Sequence, residues 1–243
     1  MTIDPELQSA HAALVQQFNA EHGPNENDNN ALTSIGSQLA LLKVMLTERD
    51  ILYPQLSDVQ QHKDALVLTR EVLEIGALWS IRVQDTMSFD RYWSQLKPFY
   101  FDLVHALPLS KNYEPIVGLS LLRSLSSNSI ASFHIELESL PMELVRDSPY
   151  IQHPVLLERW LMEGSYSNVW RERKNVPCEE YRFFVNILMV TIRHEIASCE
   201  EKAYDTLPLN DVATLLFLDS LPEVLEFAKE RGWHVNPTNQ TIE

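Results

Sequence analysis

The sequence predicts a mainly α-helical fold closed by a small β element, and three observations predict it. Only 6 of the 243 residues are glycine while 13 are proline, and the prolines stand between apolar-periodic stretches, as they do where short turns separate helices. Apolar side chains make up 45% of the chain and recur at spacings of three and four through most of it, enough to fill a sizeable core. That grammar changes after RERKNVP at 171–177, where one long and two short helices lead, past Gly232, into short strand-like pieces.

Residues 5–20 carry Leu7, His11, Leu14, Val15 and Phe18 at helical spacing, and the polar run EHGPNENDNN at 21–30 ends that helix as a turn. Residues 31–48 put Leu32, Ile35, Leu39, Leu42 and Met45 or Leu46 on one stripe, followed by a loop holding Tyr53 and Pro54. In the third helix, over 64–85, Leu66, Val72, Leu73, Gly76 and Trp79 lie on adjoining turns. A glycine inside a helix costs about 1 kcal/mol relative to alanine, so Gly76 predicts the close approach of another helix. The fourth, over 88–107, is an aromatic packing stripe of Phe89, Tyr92, Trp93, Phe99, Tyr100 and Phe101, with Pro98 predicting a kink or break.

A helix pair follows within 113–140, and Asn128 or Ser129 can cap its second member. His105 and His134 each stand alone among apolar neighbours, which predicts core or half-buried positions. In HPVLLERWLMEGSYSNVWRERKNVP, Pro154 suits a first helical turn, Leu156, Leu157, Trp160 and Leu161 face inward, and Gly164 suits the left-handed residue that stops a helix. Tyr166, Val169 and Trp170 resume the apolar stripe at once, so Gly164, Ser165 and Tyr166 form a structural joint. Through 1–175 the pattern is of helix pairs of about 40 residues without a strict repeat signature, an irregular tetratricopeptide-like solenoid.

The second predicted domain, 176–243, opens with a long helix over 178–204. It puts Tyr181, Phe184, Val185, Leu188, Ile192, Ile196 and Cys199 on one face and Arg182, Asn186, Arg193 and Glu200 opposite. Two short helices follow, over 208–218 and 221–232, separated by a turn at Asp219 and Ser220. WHVNPTNQTIE then predicts two strands around a Pro-Asn turn. Three helices and a two-stranded ribbon make a winged-helix arrangement.

With 34 acidic against 19 basic residues the net charge is -15, which repels nucleic-acid backbones and anionic lipid surfaces and favours protein partners. No basic-then-apolar leader opens the chain and no run approaches the roughly 18 apolar residues of a spanning helix, which predicts a soluble intracellular protein. Cys178 and Cys199 suit reduced thiols, with Cys199 in the core, and the sequon at Asn239 is a chance match without a secretory signal.

Catalytic signatures fail on inspection. RHEIAS has Ser198 where a zinc-binding H-E-x-x-H helix needs its second histidine, and no elbow of the G-x-S-x-G kind surrounds Ser165. No phosphate-cradling glycine loop exists, and Glu200-Glu201 and Glu223 with Glu226 suit solvated faces. No cofactor or metal is expected. The densest basic cluster, Arg171, Arg173 and Lys174, suits a helix end, with a docking patch for an acidic partner as the alternative.

The segments REVLEIGALWSI, FDRYWSQLKPFYFD, FHIELESLP, IQHPVLLERWLMEGSYSNVW, TIRHEIASCEEKAYDTLPLNDVATLLF and AKERGWHV, spread over about 64–235, resemble the PCI-type lid subunits of the 26S proteasome regulatory particle. The resemblance implies that 64–243 is a PCI module, a helical-repeat array continued by a winged helix. It also implies a non-catalytic scaffold in the cytoplasm and nucleus whose partners are other lid subunits, with a ubiquitin receptor subunit as a further candidate. Members of that family carry a tail beyond the wing, and the residues up to Glu243 offer no match to it. Small PCI subunits of the signalosome or of translation initiation factor 3, and a peptide-binding helical-repeat adaptor, are the alternatives. On the scaffold reading, Trp233, His234 and Val235 would set the register of an open strand edge offered to a neighbour, whereas Trp233 packed beneath the wing is the competing reading.

Overall fold

The computed structural model describes residues 5–20, 28–49, 51–52, 62–218, 220–236 and 241–242, most of them helical. In chain order the helices are α1 (Pro5–Ala20), α2 (Asp28–Glu48), α3 (Lys63–Arg82), α4 (Thr86–Lys97), α5 (Tyr113–Ser126), α6 (Ile130–Glu138) and α7 (Met142–Asp147). Then come α8 (Pro149–Met162), α9 (Tyr166–Glu172), α10 (Tyr181–Ala203), α11 (Leu209–Leu215) and α12 (Leu221–Arg231). Three two-residue strands, β1 (Leu207–Pro208), β2 (Val235–Asn236) and β3 (Thr241–Ile242), form one antiparallel sheet in the order β1-β3-β2. The turn expected over 21–30 gives way to helix from Asp28, where α2 begins, and its residues 21–27, the loop with Tyr53 and Pro54, Asp219 and the Pro-Asn step of the ribbon lie outside the described residues.

Sequence neighbours pack on each other: α1 on α2, α3 on α4, α5 on α6, α8 on α9 and α11 on α12. The centre is α5, which touches α3, α8 and α10 as well as α6. Its apolar positions are buried all round, which is why Ile116, Val117, Leu119, Leu121, Leu122 and Leu125 show no single stripe. Gly118 explains how close α10 can come. A Cβ there would lie 1.8 Å from the Tyr181 hydroxyl, which itself donates to the backbone carbonyls of Pro115 and Tyr150 at 3.2 and 3.1 Å. Gly76 does the same for α3 and α4, since a Cβ would fall 2.2 Å from the Tyr92 ring, as its place inside a helix predicts.

A buried polar knot ties α3 to the segment before α5. Glu74 accepts hydrogen bonds from Tyr100, Ser110 and Asn112 at 3.0, 2.8 and 3.2 Å, and Arg70 lies 3.4 Å from the same carboxylate. Arg70 also donates to the carbonyl of Pro108. Burial pushes the Glu74 carboxyl up, and these donors with Arg70 offset part of that push.

Among the described residues five helix ends use one stop, in which a residue with left-handed φ turns the chain and its own N–H and the next bond back across the last turn. The turning residues are Gln84, Asn128, Gly164, Phe217 and Gly232, with φ of 62°, 55°, 69°, 53° and 77°. At Gly164, for example, Gly164 N–H meets the Leu161 carbonyl at 3.1 Å and Ser165 N–H the Trp160 carbonyl at 2.8 Å.

Several expectations change. The fourth helix does not run to 107: Pro98 has no N–H to give, so the chain widens into a π-helical turn over Pro98–Asp102, closed by Leu103 N–H to the Pro98 carbonyl at 3.1 Å. His105 consequently falls in an exposed turn, and His134 is also exposed, because α6 buries Phe133 beside it and leaves the imidazole near Glu158 at 3.4 Å. Pro154 lies inside α8, whose first residue is Pro149, and Leu156 faces outward. Cys199 is exposed and Glu200 buried, the reverse of the expected assignment. Counting from Ile196, position 199 lies about 60° to one side of the stripe and 200 about 40° to the other, nearer the buried face. The ribbon has a third strand, β1, whose Pro208 suits an edge because it lacks a ladder donor.

Candidate functional site

Arg173 of the basic cluster lies over one indole. Trp170 projects from α9, and the guanidinium carbon of Arg173, which follows that helix, lies 3.5 Å from its ring centroid. Phe217 is stacked on Trp170 as well, at 5.3 Å between centroids and 20° between planes. Arg193 of α10 reaches the same indole at 5.4 Å while donating to the Leu216 and Phe217 carbonyls at 3.2 and 3.5 Å. Those carbonyls end α11 and would otherwise need other donors.

This arrangement separates the three basic residues. Arg173 is half-buried and covers Trp170, whereas Arg171 and Lys174 are exposed and able to meet an acidic surface. Gly164 takes the left-handed turn, and nothing lies within 4 Å of where its Cβ would be, so conformation rather than space requires glycine there. Ser165 precedes α9 and its hydroxyl accepts from Asn168 at 2.9 Å; Tyr166 begins α9 and packs against the core. No histidine joins the Ser165 hydroxyl in that bond.

At the other end, Trp233 turns inward. Its ring meets Phe227 edge-on at 5.7 Å and its indole N–H donates to Glu201 at 2.7 Å, a carboxylate that Arg231 approaches at 3.2 Å. The half-buried indole is thus held by contacts within the chain. His234 is exposed, and Val235 is half-buried opposite Ile242 in β2, which forms one edge of the sheet.

The helix face around RHEIAS is filled by other contacts. Ser198, where a second zinc histidine would stand, accepts a bond from Arg231 at 2.7 Å. Among the described residues no group of three His, Cys, Asp or Glu side chains is placed to hold a metal, and no helix is long and apolar enough to cross a membrane.

Arg193 and Phe217 were not singled out by the sequence. Arg193 reads as polar-face decoration, and Phe217, inside the apolar run LLFL, gives no sign that it adopts a left-handed φ that bulky residues rarely take.

The sequence pattern of the CSN8/PSMD8/EIF3K family matches residues 111–243, the part that includes α5 and everything after it. The chain is 37% identical over 199 residues to the 26S proteasome regulatory subunit RPN12 of Saccharomyces cerevisiae, covering 80% of this chain and 73% of that one. It is 36% identical over 235 residues to the 26S proteasome non-ATPase regulatory subunit 8 homolog A of Arabidopsis thaliana, covering 96% and 85%. It is 38% identical over 199 residues to the rpn12 regulatory subunit of Schizosaccharomyces pombe, covering 82% and 71%. A likeness that runs through both the helical array and the sheet-bearing end places the chain in the CSN8/PSMD8/EIF3K family, among relatives that are 26S proteasome regulatory subunits.

Proposed function

We propose that this chain is a non-catalytic scaffold subunit of the lid of the 26S proteasome regulatory particle, serving ubiquitin-dependent protein degradation in the cytoplasm and nucleus. The observation that carries the reading is the likeness to regulatory subunits named for that particle, which extends over 96% of the chain in one relative. Residues 1–175 act as a tetratricopeptide-like array and 176–243 as a winged helix, together with 64–175 making a PCI module. The order α10, β1, α11, α12, β2, β3 supports the winged-helix part, and the consecutive packing of helix pairs supports the array.

Assembly uses two surfaces. The β2 edge, with exposed His234 beside it, offers main-chain groups to a strand of a neighbouring subunit, and exposed Arg171 and Lys174 meet an acidic segment. The stack of Trp170 on Phe217 holds the two surfaces at a fixed angle. Neighbouring lid subunits are the partners, and a ubiquitin receptor subunit fits the acidic-segment role. Neither nucleic acid nor membrane is, given the net charge of -15.

Affinity capture of the tagged chain followed by mass spectrometry tests this. Lid subunits should co-purify in near-stoichiometric amounts; recovery of signalosome or initiation-factor subunits instead would move the chain to another branch of its family.

A further inference from the structure

Two lysines rest on aromatic rings of α4, and only one of them meets an acid. Lys97 Nζ lies 5.7 Å from the Trp93 ring centroid and 2.8 Å from the Glu136 carboxylate. Lys43, which projects from α2, puts its Nζ 3.5 Å from the centroid of the Tyr92 ring. Among the described residues no carboxylate and no hydrogen-bond acceptor reaches that nitrogen. The side chain is half-buried, yet its nitrogen keeps a solvent-accessible surface, unlike the occluded ring nitrogens of His153.

The surroundings favour the uncharged amine. The Tyr92 ring cannot withdraw from it, because that residue is buried against Gly76, where a Cβ would lie 2.2 Å from the ring. Nor does Tyr92 supply an anion, since burial pushes its phenol up to about 12. Arg91 adds a like charge that no carboxylate neutralises among the described residues. Its guanidinium donates to the Met87 carbonyl at 3.4 Å, and the neighbouring Asp90 is taken by Arg123 at 2.9 Å. The ring face attracts a cation and so keeps the side chain in place. Burial first and Arg91 second outweigh that attraction and bring the Lys43 amine down to about 8. An accessible amine of this kind holds a free lone pair near neutral pH, which is what acylation requires.

We propose that Lys43 is a modification site whose amine takes an acyl group from an acyl thioester. The nitrogen lone pair attacks the thioester carbonyl carbon, a C–N bond forms, and the C–S bond breaks with its electron pair leaving on sulfur. The proton lost by nitrogen goes to the thiolate, and nothing is oxidised or reduced. The product is a neutral amide, which removes a positive charge from a half-buried place where no acid meets it. Lys43 belongs to neither surface proposed for assembly, so the inference does not depend on the scaffold function.

The test uses the intact chain and the neutral thioester N,S-diacetylcysteamine, which has no phosphate for Arg91 to attract. Initial acetylation rates at each lysine are read by mass spectrometry after proteolysis, across a pH series that reaches the ordinary lysine range of about 10.4. In neutral solution Lys43 should react about tenfold faster than exposed Lys111, Lys174 and Lys202, the gain in free amine being partly offset by its weaker basicity. Its rate should reach half its maximum near pH 8. Arg91→Gln, an exposed change, should move that midpoint upward. A Lys43 that reacts no faster than the exposed lysines, a midpoint in the ordinary lysine range, or an Arg91→Gln midpoint that stays or falls would overturn the proposal.

Discussion

The indole of Trp170 lies face to face with the ring of Phe217, 5.3 Å between centroids, and so joins α9 to the end of α11. Between them the two rings connect the helical array to the sheet-bearing end, with Arg173 and Arg193 as cationic covers. Trp170→Ala should lower unfolding free energy by about 2–3 kcal/mol, somewhat under the range for a fully buried aromatic because Trp170 is half-buried. A double-mutant cycle with Phe217→Leu, read by denaturant unfolding, should give a coupling of about 1 kcal/mol. Additive effects would mean that the stack does not bind the two parts.

Gly118 sets the distance between α5 and α10. Gly118→Ala puts a methyl carbon 1.8 Å from the Tyr181 hydroxyl and 2.5 Å from the Tyr150 carbonyl, so the helices must part. The expected loss is about 1–3 kcal/mol, the ordinary cost of overpacking, and it should appear as a lower Tm in calorimetry.

Gly164 tests conformation without space. Gly164→Val forces a β-branched residue to a φ of 69° with nothing within 4 Å of its Cβ, which should cost about 1–2 kcal/mol. Gly164→Asn should cost less, since asparagine visits that region readily. Equal losses for the two variants, measured by urea unfolding, would show that the turn is not what glycine supplies.

Glu200 gives a pH signature. Its carboxyl is raised from 4.5 to about 7 by burial, so the folded chain binds its proton more tightly than the unfolded chain does. Stability contributed by this group is therefore present below about pH 4.5 and is lost as pH rises towards 7. Glu200→Gln removes that loss, and at pH 8 it should be about 2–3 kcal/mol more stable than the parent, with the difference vanishing near pH 4.5. Parallel pH profiles of unfolding free energy for parent and variant would contradict the burial of an unpaired carboxyl.

Periodicity carried most of the helical layout because burial follows it closely where a helix meets the core on one side. Leu7, Leu14 and Phe18 in α1, and Ile35, Leu39, Leu42 and Leu46 in α2, are buried at the positions their spacing predicts. The stop at Gly164 was legible for a different reason, since a glycine between two apolar stripes has few other uses. Glu200 was not, because an acidic residue looks solvated by its chemistry even where it stands four past Ile196, on the buried side of the helix. The left-handed Phe217 and the placement of Arg193 over Trp170 depend on contacts between segments tens of residues apart, which no local pattern encodes. The histidines failed similarly: His105 depended on where Pro98 ended the helix, and His134 on which side of Phe133 faced the core.

Sedimentation of a lysate holding the tagged chain at native level tests the scaffold role most directly, with the chain quantified across fractions beside proteasomal peptidase activity. Most of the chain should travel with the active 26S particle, and Trp170→Ala should shift it towards the slow fractions at temperatures where its fold is intact. A chain that stays in the slow fractions, or travels in a particle without proteasome subunits, would contradict the account.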